Sequence, residues 1–371
     1  MTRLLAAVLL LWSAAGCAAQ PQQRGWPEWQ SFAEGFVDEQ GRVIDWTAES
    51  RTVSEGQAYA LFFALVANDR ERFQRILQWT EKNLAKGNLG KNLPAWLWGR
   101  IDADHWGIKD LNSATDADLW LAYTLLEAGR IWNDAQYRTL GRSLLEQVKQ
   151  HAVMQVENGP LLLLPGREGF VDGDRIRLNP SYYVPVQLLR FQQEDPQGPW
   201  RRLLADYAAW LPQLAPLGRV PDWAQWQAGN VVQDKETSGV GSYDAIRVYL
   251  FNAWGPSGNG SAAALQDAIR PFGGMLGEIG RVPERWSNGN AGIEGQAPVG
   301  FYGALLPYYA MTQDDTGLAR ARAALEKARN NKLYGHPAHY YDQVLILFGK
   351  GYADGKYRFD GNGGVVLTWK R

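Results

Sequence analysis

Three short segments each set a carboxylate beside residues that turn or cap a chain: Ser54-Glu55-Gly56-Gln57, Thr115-Asp116-Ala117-Asp118 and Ser242-Tyr243-Asp244. Glu55 and Asp244 open stretches otherwise almost free of charge, where an acid is costly unless it has a partner or a task. Taken singly, each acid also reads as part of a helix cap. Carboxylates in a first turn gain about 0.3–1 kcal/mol from the helix dipole, and Ser54 with Gln57 has the spacing of a capping box. Taken together they read as chemistry. The 371 residues hold one Cys and only four His (His105, His151, His336 and His339), so the acids point to acid/base work by carboxyl groups. Arg247 falls three residues after Asp244, on the same helical face. It can form a dry ion pair with that acid or grip a hydroxyl of a bound molecule.

The chain has 17 Trp and 16 Tyr but 12 Phe, a bias toward aromatic rings with a polar handle. Trp96, Trp98, Trp106, Tyr182, Tyr183 and Tyr243, with Trp223 and Trp226, fall in loops or first turns beside the same acids. Such rings, presented to a cleft, suit the C–H faces of pyranose sugars, while Asn, Asp and Arg take the hydroxyls. The first six, with Arg247, are the candidate substrate-binding residues. Core filling is the competing reading for Trp96 and Trp98, and the preferred one for Trp79, Trp132 and Trp210, which sit at helical spacing.

Composition removes other partners. With 38 Lys+Arg against 39 Asp+Glu the net charge is −1, which gives neither nucleic acid nor an anionic membrane a reason to bind. A Cys/His zinc site or a disulfide framework lacks its residues. Asp102-Ala103-Asp104 and Asp116-Ala117-Asp118 imitate metal-binding pairs. On a helix, however, residues two apart point about 200° from each other. No Gly-rich phosphate loop of standard spacing occurs. Neither a metal nor a cofactor is expected.

The elements that must hold these residues are helices of two alternating kinds. Segments 56–68, 116–128, 181–192, 243–254, 298–312 and 339–350 are apolar or nearly uncharged, the pattern of buried helices. Segments 28–37, 69–85, 135–150, 198–212, 260–271 and 315–330 are charged and one-faced. Strict interleaving predicts an all-α, six-hairpin (α/α)6 toroid of about twelve helices, an inner ring wrapped by an outer one. Uneven spacing of the inner starts argues against a short-repeat solenoid. Parallel inner helices gather their N-termini at one mouth. Glu55, Asp116 and Asp244 should therefore converge, although 61 and 128 residues separate them. Asn179-Pro180-Ser181 opens the third inner helix in the same way. β-hairpins are expected from Leu161–Pro165 with Phe170–Leu178, and within Tyr357–Trp369. No linker divides residues 20–371, which read as one domain, and no charge run marks a protein partner, so a monomer is expected.

Arg3, the apolar run Leu4–Trp12 and the small residues up to Ala19 read as a secretory signal peptide over residues 1–19. The run is too short to span a bilayer. Cutting near Ala19 would leave a soluble chain in the periplasm or outside the cell. Cutting before Cys17 would leave a lipid anchor, a reading weakened by the missing large aliphatic residue three positions earlier.

The stretch Ala114-Thr115-Asp116-Ala117-Asp118-Leu119-Trp120-Leu121-Ala122-Tyr123-Thr124, continuing to Trp132, resembles the signature of glycoside hydrolase family 8. Leu121 stands where that pattern has Ile or Met, and Thr124 where it has Ser or Ala; both changes are conservative. Thr52-Val53-Ser54-Glu55-Gly56-Gln57-Ala58-Tyr59 is similar to the family's general-acid segment. Ser242-Tyr243-Asp244-Ala245-Ile246-Arg247 is similar to the general-base segment of its Asp-base subgroup. Asn179–Tyr182 and Pro94–Trp98 also look familial, and the resemblance runs from about residue 25 to the C-terminus. It implies the same toroid and an inverting endo-1,4-β-glucanase acting on cellulose or a cellulose-like glucan.

In that reading Glu55 protonates the departing oxygen, which needs a raised pKa that Asp116 or apolar walls must supply against the helix dipole. Asp244 activates water on the opposite sugar face, the two carboxyl groups lying roughly 6.5–9.5 Å apart. Asp116 holds and distorts the sugar. The chain is most similar to exported family members encoded with bacterial cellulose synthase, which implies an association with that machinery. The family also contains enzymes acting on xylan, chitosan and mixed-linkage glucan. A non-catalytic glycan-binding subunit would lack Glu55 or Asp244. A polysaccharide lyase on a similar toroid would want a Tyr, His or Lys base, and the helix starts offer too few basic candidates.

Overall fold

The computed structural model describes residues 25–288 and 292–370; the expected signal peptide, with Cys17, lies outside them. In chain order the helices are α1 (Pro27–Phe36), α2 (Ser54–Val66), α3 (Arg70–Leu84), α4 (Thr115–Ile131), α5 (Ala135–His151), α6 (Pro185–Glu194) and α7 (Trp200–Leu214). Then follow α8 (Ile246–Asn252), α9 (Gly260–Ile269), α10 (Phe272–Ile279), α11 (Val299–Ala304), α12 (Leu306–Thr312), α13 (Asp315–Ala328) and α14 (Tyr340–Ala353). Pro271 separates α9 from α10, and Pro307 opens the second segment of the α11–α12 pair. Joining each pair gives twelve helices among the described residues, in six inner–outer hairpins, the expected (α/α)6 architecture.

Charge sorts the rings. All of α2 except Glu55 is buried, whereas α3 buries one stripe (Phe73, Ile76, Leu77, Trp79, Thr80, Leu84) and turns its charges to water. The inner helices touch in order, α2 to α4, α6, α8, α11 and α14. The ring closes where Phe348 of α14 meets Phe63 and Tyr59 of α2, with centroids 4.6 and 5.2 Å apart. Trp120 fills the middle against Phe62, Phe251 and Phe348 at 5.0–5.7 Å. The centre is thus a packed aromatic core.

Capping differs from expectation. The outer helices α3, α5, α9 and α13 carry side-chain caps from Asp69, Asp134, Asn259 and Asp314, but α2, α4, α8, α11 and α14 carry none. Ser54 and Gln57 form no capping box. Ser54 is already the first helical residue, and Gln57 turns away to the amide of Val43 and to Thr80 Oγ1. Asn179 caps only a 3₁₀ turn, Pro180–Tyr182, ahead of α6.

The strands are antiparallel excursions at the loops. β1 (Thr52–Val53), β2 (Leu97–Arg100) and β3 (Trp106–Asp110) form one sheet, and β4 (Val153–Gln155) pairs with β5 (Leu161–Leu163). β6 (Val171–Asp172), β7 (Arg175–Leu178), β8 (Ala224–Gln227) and β9 (Asn230–Gln233) make a four-stranded sheet. β10 (Val240–Gly241), β11 (Arg285–Ser287) and β12 (Ile293–Glu294) make another. β13 (Arg329–Asn330) with β14 (Leu333–Tyr334), and β15 (Tyr357–Phe359) with β16 (Val365–Leu367), complete the set. The C-terminal hairpin is as expected. The Leu161 strand instead pairs backward with Val153–Gln155, across a turn held by the Val156 amide on Pro160 O at 3.1 Å, while the expected turn at Asp172-Gly173-Asp174 joins β6 to β7. No helix among the described residues is long and apolar enough to cross a membrane.

Candidate active site

Arg247 of α8 organises the mouth. Its guanidinium is buried and donates to Asp244 Oδ1 and Ser181 Oγ, both at 2.8 Å, and to the Tyr59 hydroxyl at 3.2 Å. Tyr59 donates onward to Asp116 Oδ2 at 3.2 Å, and Arg247 itself lies 3.6 Å from that oxygen. Residues from α2, α4, the 3₁₀ turn and the approach to α8 therefore meet around one cation, as parallel inner helices require. Asp116 also takes the amide of Ala117 at 2.8 Å, so its carboxyl is held at both oxygens. Burial pushes its pKa up, with Arg247 opposing and Asp244 adding to the rise. The Asp244 side chain is still 31% exposed, which leaves a flank open to water.

Glu55, in the first turn of α2, has its carboxyl pushed up to about 8. Enclosure by protein is the largest cause and the neighbouring Asp116 the second, while a backbone hydrogen bond and Arg247 pull downward. This is the shift that an acid catalyst working near neutrality needs. Gly56 is required beside it, since a Cβ there would lie 2.8 Å from the buried Tyr340 hydroxyl. Asp118 is wholly buried, and burial with Asp116 nearby holds it well above the usual carboxylate range. Among the described residues no group of three His, Cys, Asp or Glu side chains is arranged to hold a metal ion.

The hairpin β2–β3 is tied to the start of α2. Val53 and Thr52 pair with Leu97 and Trp98, and the Ser54 amide donates to Trp96 O at 2.9 Å. Trp98 stacks on Trp106 at 5.4 Å, and Arg42 lies over both rings at 4.3 and 4.9 Å while holding Thr52 Oγ1 at 2.8 Å. Trp96 is half-buried against the core. Tyr182 borders the cluster, with Arg247 5.9 Å above its ring. Tyr243 is exposed, and its hydroxyl donates to Glu284. Tyr183 does not belong with them. It is buried, accepts the Leu163 amide at 2.8 Å and stacks on Tyr207 at 4.7 Å, so it is a core residue. Trp226 packs partly into the core from β8, and Trp223 stacks on Phe170 under Arg177.

Sequence reasoning missed Arg42, Tyr341 and Asp222. Tyr341 of α14 donates to Tyr243 O at 2.7 Å, binding the last inner helix to the Asp244 turn. Asp222 accepts the amides of Ser242, Asp244 and Ala245 on one oxygen. No motif marks either residue; the one hint for Asp222 is an acid lodged between Pro221 and Trp223.

Fold and site together define a glycoside hydrolase built on an (α/α)6 toroid. The model for glycosyl hydrolases family 8 matches residues 2–355, and the chain belongs to that family. An endoglucanase of Xanthomonas axonopodis pv. citri (strain 306) is 39% identical over 374 residues, 99% of this chain and 95% of the relative. That of Escherichia coli (strain K12) is 37% identical over 346 residues, 93% and 91% respectively. The crystal structure of endo-1,4-D-glucanase from Vibrio fischeri ES114 superposes with a TM-score of 0.84 at 37% identity, covering 93% of this chain and all of that one.

Proposed function

We propose that this protein is an inverting endo-1,4-β-glucanase that cleaves internal bonds of cellulose or a cellulose-like glucan. Glu55 gives its proton to the departing glycosidic oxygen as that bond breaks. A water molecule attacks the anomeric carbon from the opposite face and passes its proton to Asp244, leaving both carboxyls one proton exchanged and the anomeric centre inverted. Asp116, clamped by Tyr59, the Ala117 amide and the nearby Arg247, grips the sugar at the cleavage point and needs no covalent role. Trp98, Trp106, Tyr182 and Tyr243 line the path of the chain, together with the half-buried Trp96. No cofactor is required. Residues 20–371 act as one monomeric catalytic domain, exported by the leader at 1–19. Its work is linked to bacterial cellulose biosynthesis.

One observation carries the reading: a single buried Arg247 ion-pairs with the water-accessible Asp244, lies 3.6 Å from Asp116 and acts on Glu55, whose pKa is raised to about 8. The relatives named endoglucanase, matched almost end to end, support the substrate class. The test is viscosity loss and reducing-end release on carboxymethyl cellulose, with Glu55→Gln and Asp244→Asn alongside. Wild type should thin the solution fast, and each variant should lose about 10²–10⁴-fold in kcat. The first-formed anomer, read by proton NMR, should be α. A β product, or activity surviving both substitutions, overturns the assignment.

A further inference from the structure

The Asp244 turn is capped from a distance. At α9 a local Asn259 serves the helix, but the cap position of α8 is Ala245, which has no side chain to offer. Asp222 takes over from the segment before β8. Its Oδ1 accepts the amides of Ser242 at 2.8 Å, Asp244 at 3.1 Å and Ala245 at 2.7 Å. Asp222 is itself fixed, its own amide donating to Val240 O at 2.9 Å. Nearby, Gly241 lets β10 press against Val220 and the Trp286 indole, where any Cβ would collide. The backbone of Asp244 is thus held from one side by Asp222, and its side chain from the other by Arg247.

We propose that Asp222 is a positioning residue for Asp244: its carboxylate, through three amides, fixes the turn in register with Arg247, and protonation of Asp222 weakens that hold. The proposal rests on Asp244 being the base. A cap alone needs an acceptor and no charge, as Asn259 shows at α9. The carboxyl of Asp222 is part-buried and faces the Asp244 carboxyl from the turn, the Tyr249 phenol from α8 and the Tyr341 phenol from α14. Burial first, then Asp244, pushes it up to about 6. Activity should therefore begin to fall toward acid near pH 6, where Asp222 takes a proton and its hold on the three amides weakens.

The experiment measures kcat and KM of the full chain on carboxymethyl cellulose across the acid limb for Asp222→Asn, Asp222→Ala and Asp244→Asn. Asp222→Asn keeps the acceptor, so kcat at neutral pH should stay close to wild type. Its step near pH 6 should vanish, because an amide oxygen accepts without titrating. Asp222→Ala should lose about 10²-fold in kcat with KM little changed, the cost of an ångström-scale misplacement. An unmoved limb in Asp222→Asn overturns the role of Asp222 protonation, and wild-type kcat in Asp222→Ala overturns the positioning role. Should the Ala variant fail to fold by near-UV circular dichroism, the Asn limb decides. Asp244→Asn separates the two levels: if it stays active the base assignment itself fails, whereas if it is dead while both Asp222 variants behave as wild type, only this proposal falls.

Discussion

Glu55 sits where opposing effects compete. The start of α2 offers it a helix dipole and a backbone hydrogen bond, both favouring the carboxylate, yet burial and Asp116 prevail and lift it to about 8. The consequence for stability has a definite sign. A carboxyl raised from 4.5 to about 8 binds its proton more tightly in the folded chain than in the unfolded one. Its contribution is therefore intact below 4.5 and declines as pH rises through that window. Glu55→Gln carries no such burden. Its melting temperature should exceed that of wild type at pH 8, and the gap should close toward pH 5, with activity lost throughout. Calorimetry at both pH values checks this; a gap that does not change with pH would mean the shift belongs to another group. The need for a raised acid was legible in the sequence, because a proton donor must hold its proton. The order of its causes was not, since that depends on walls assembled from four helices.

At the level of elements, alternation was the readable signal. A helix apolar all round must be inside and a one-faced helix must be outside, so the twelve-helix count and the convergence of three distant helix starts followed from composition alone. Caps and pairings were less readable, because an acid before a helix looks the same whether it caps or catalyses. Gln57 has box spacing yet serves Val43 and Thr80. Leu161 could pair forward or backward, and only the three-dimensional chain chose. Tyr183 looked like Tyr182 until one ring turned inward against Tyr207. The hairpin β2–β3 is the element whose task is most exposed to test. Trp106 is 38% exposed and stacks on Trp98, so its removal leaves the toroid intact. Trp106→Ala should raise KM on polymeric substrate about two- to ten-fold, from an aromatic contact worth ~0.5–1.5 kcal/mol, with kcat little changed. An unchanged KM would make the hairpin a scaffold for α2 and no part of the sugar path.

The whole molecule has one open end and one sealed end. Inner helices bring their N-termini to the mouth, so their C-terminal ends and last carbonyls collect at the opposite face, where water would reach Trp120 and Phe348 unless something covered it. The hairpin β15–β16 and the segment after it do so. Tyr123 donates to Gly363 O at 2.8 Å, and Trp369 donates to Val66 O at the end of α2 at 2.9 Å. Glu127 joins floor to ring: wholly buried, it accepts the Val365 amide at 2.7 Å and Arg190 Nε at 2.7 Å, and pairs with Arg130. Burying charges is justified only when every partner is present. Glu127→Ala should therefore leave Arg190 enclosed with half its partners gone and cost about 3–5 kcal/mol, read as a lower urea midpoint. The chemistry should be spared, because eleven residues of helix put Glu127 about 16 Å from Asp116. The surviving folded fraction should turn over substrate at the wild-type rate. A midpoint equal to wild type would move the energetic seal from this ion cluster to the aromatic seam between Phe348 and Phe63, and Phe348→Ala would then be the variant that opens the ring.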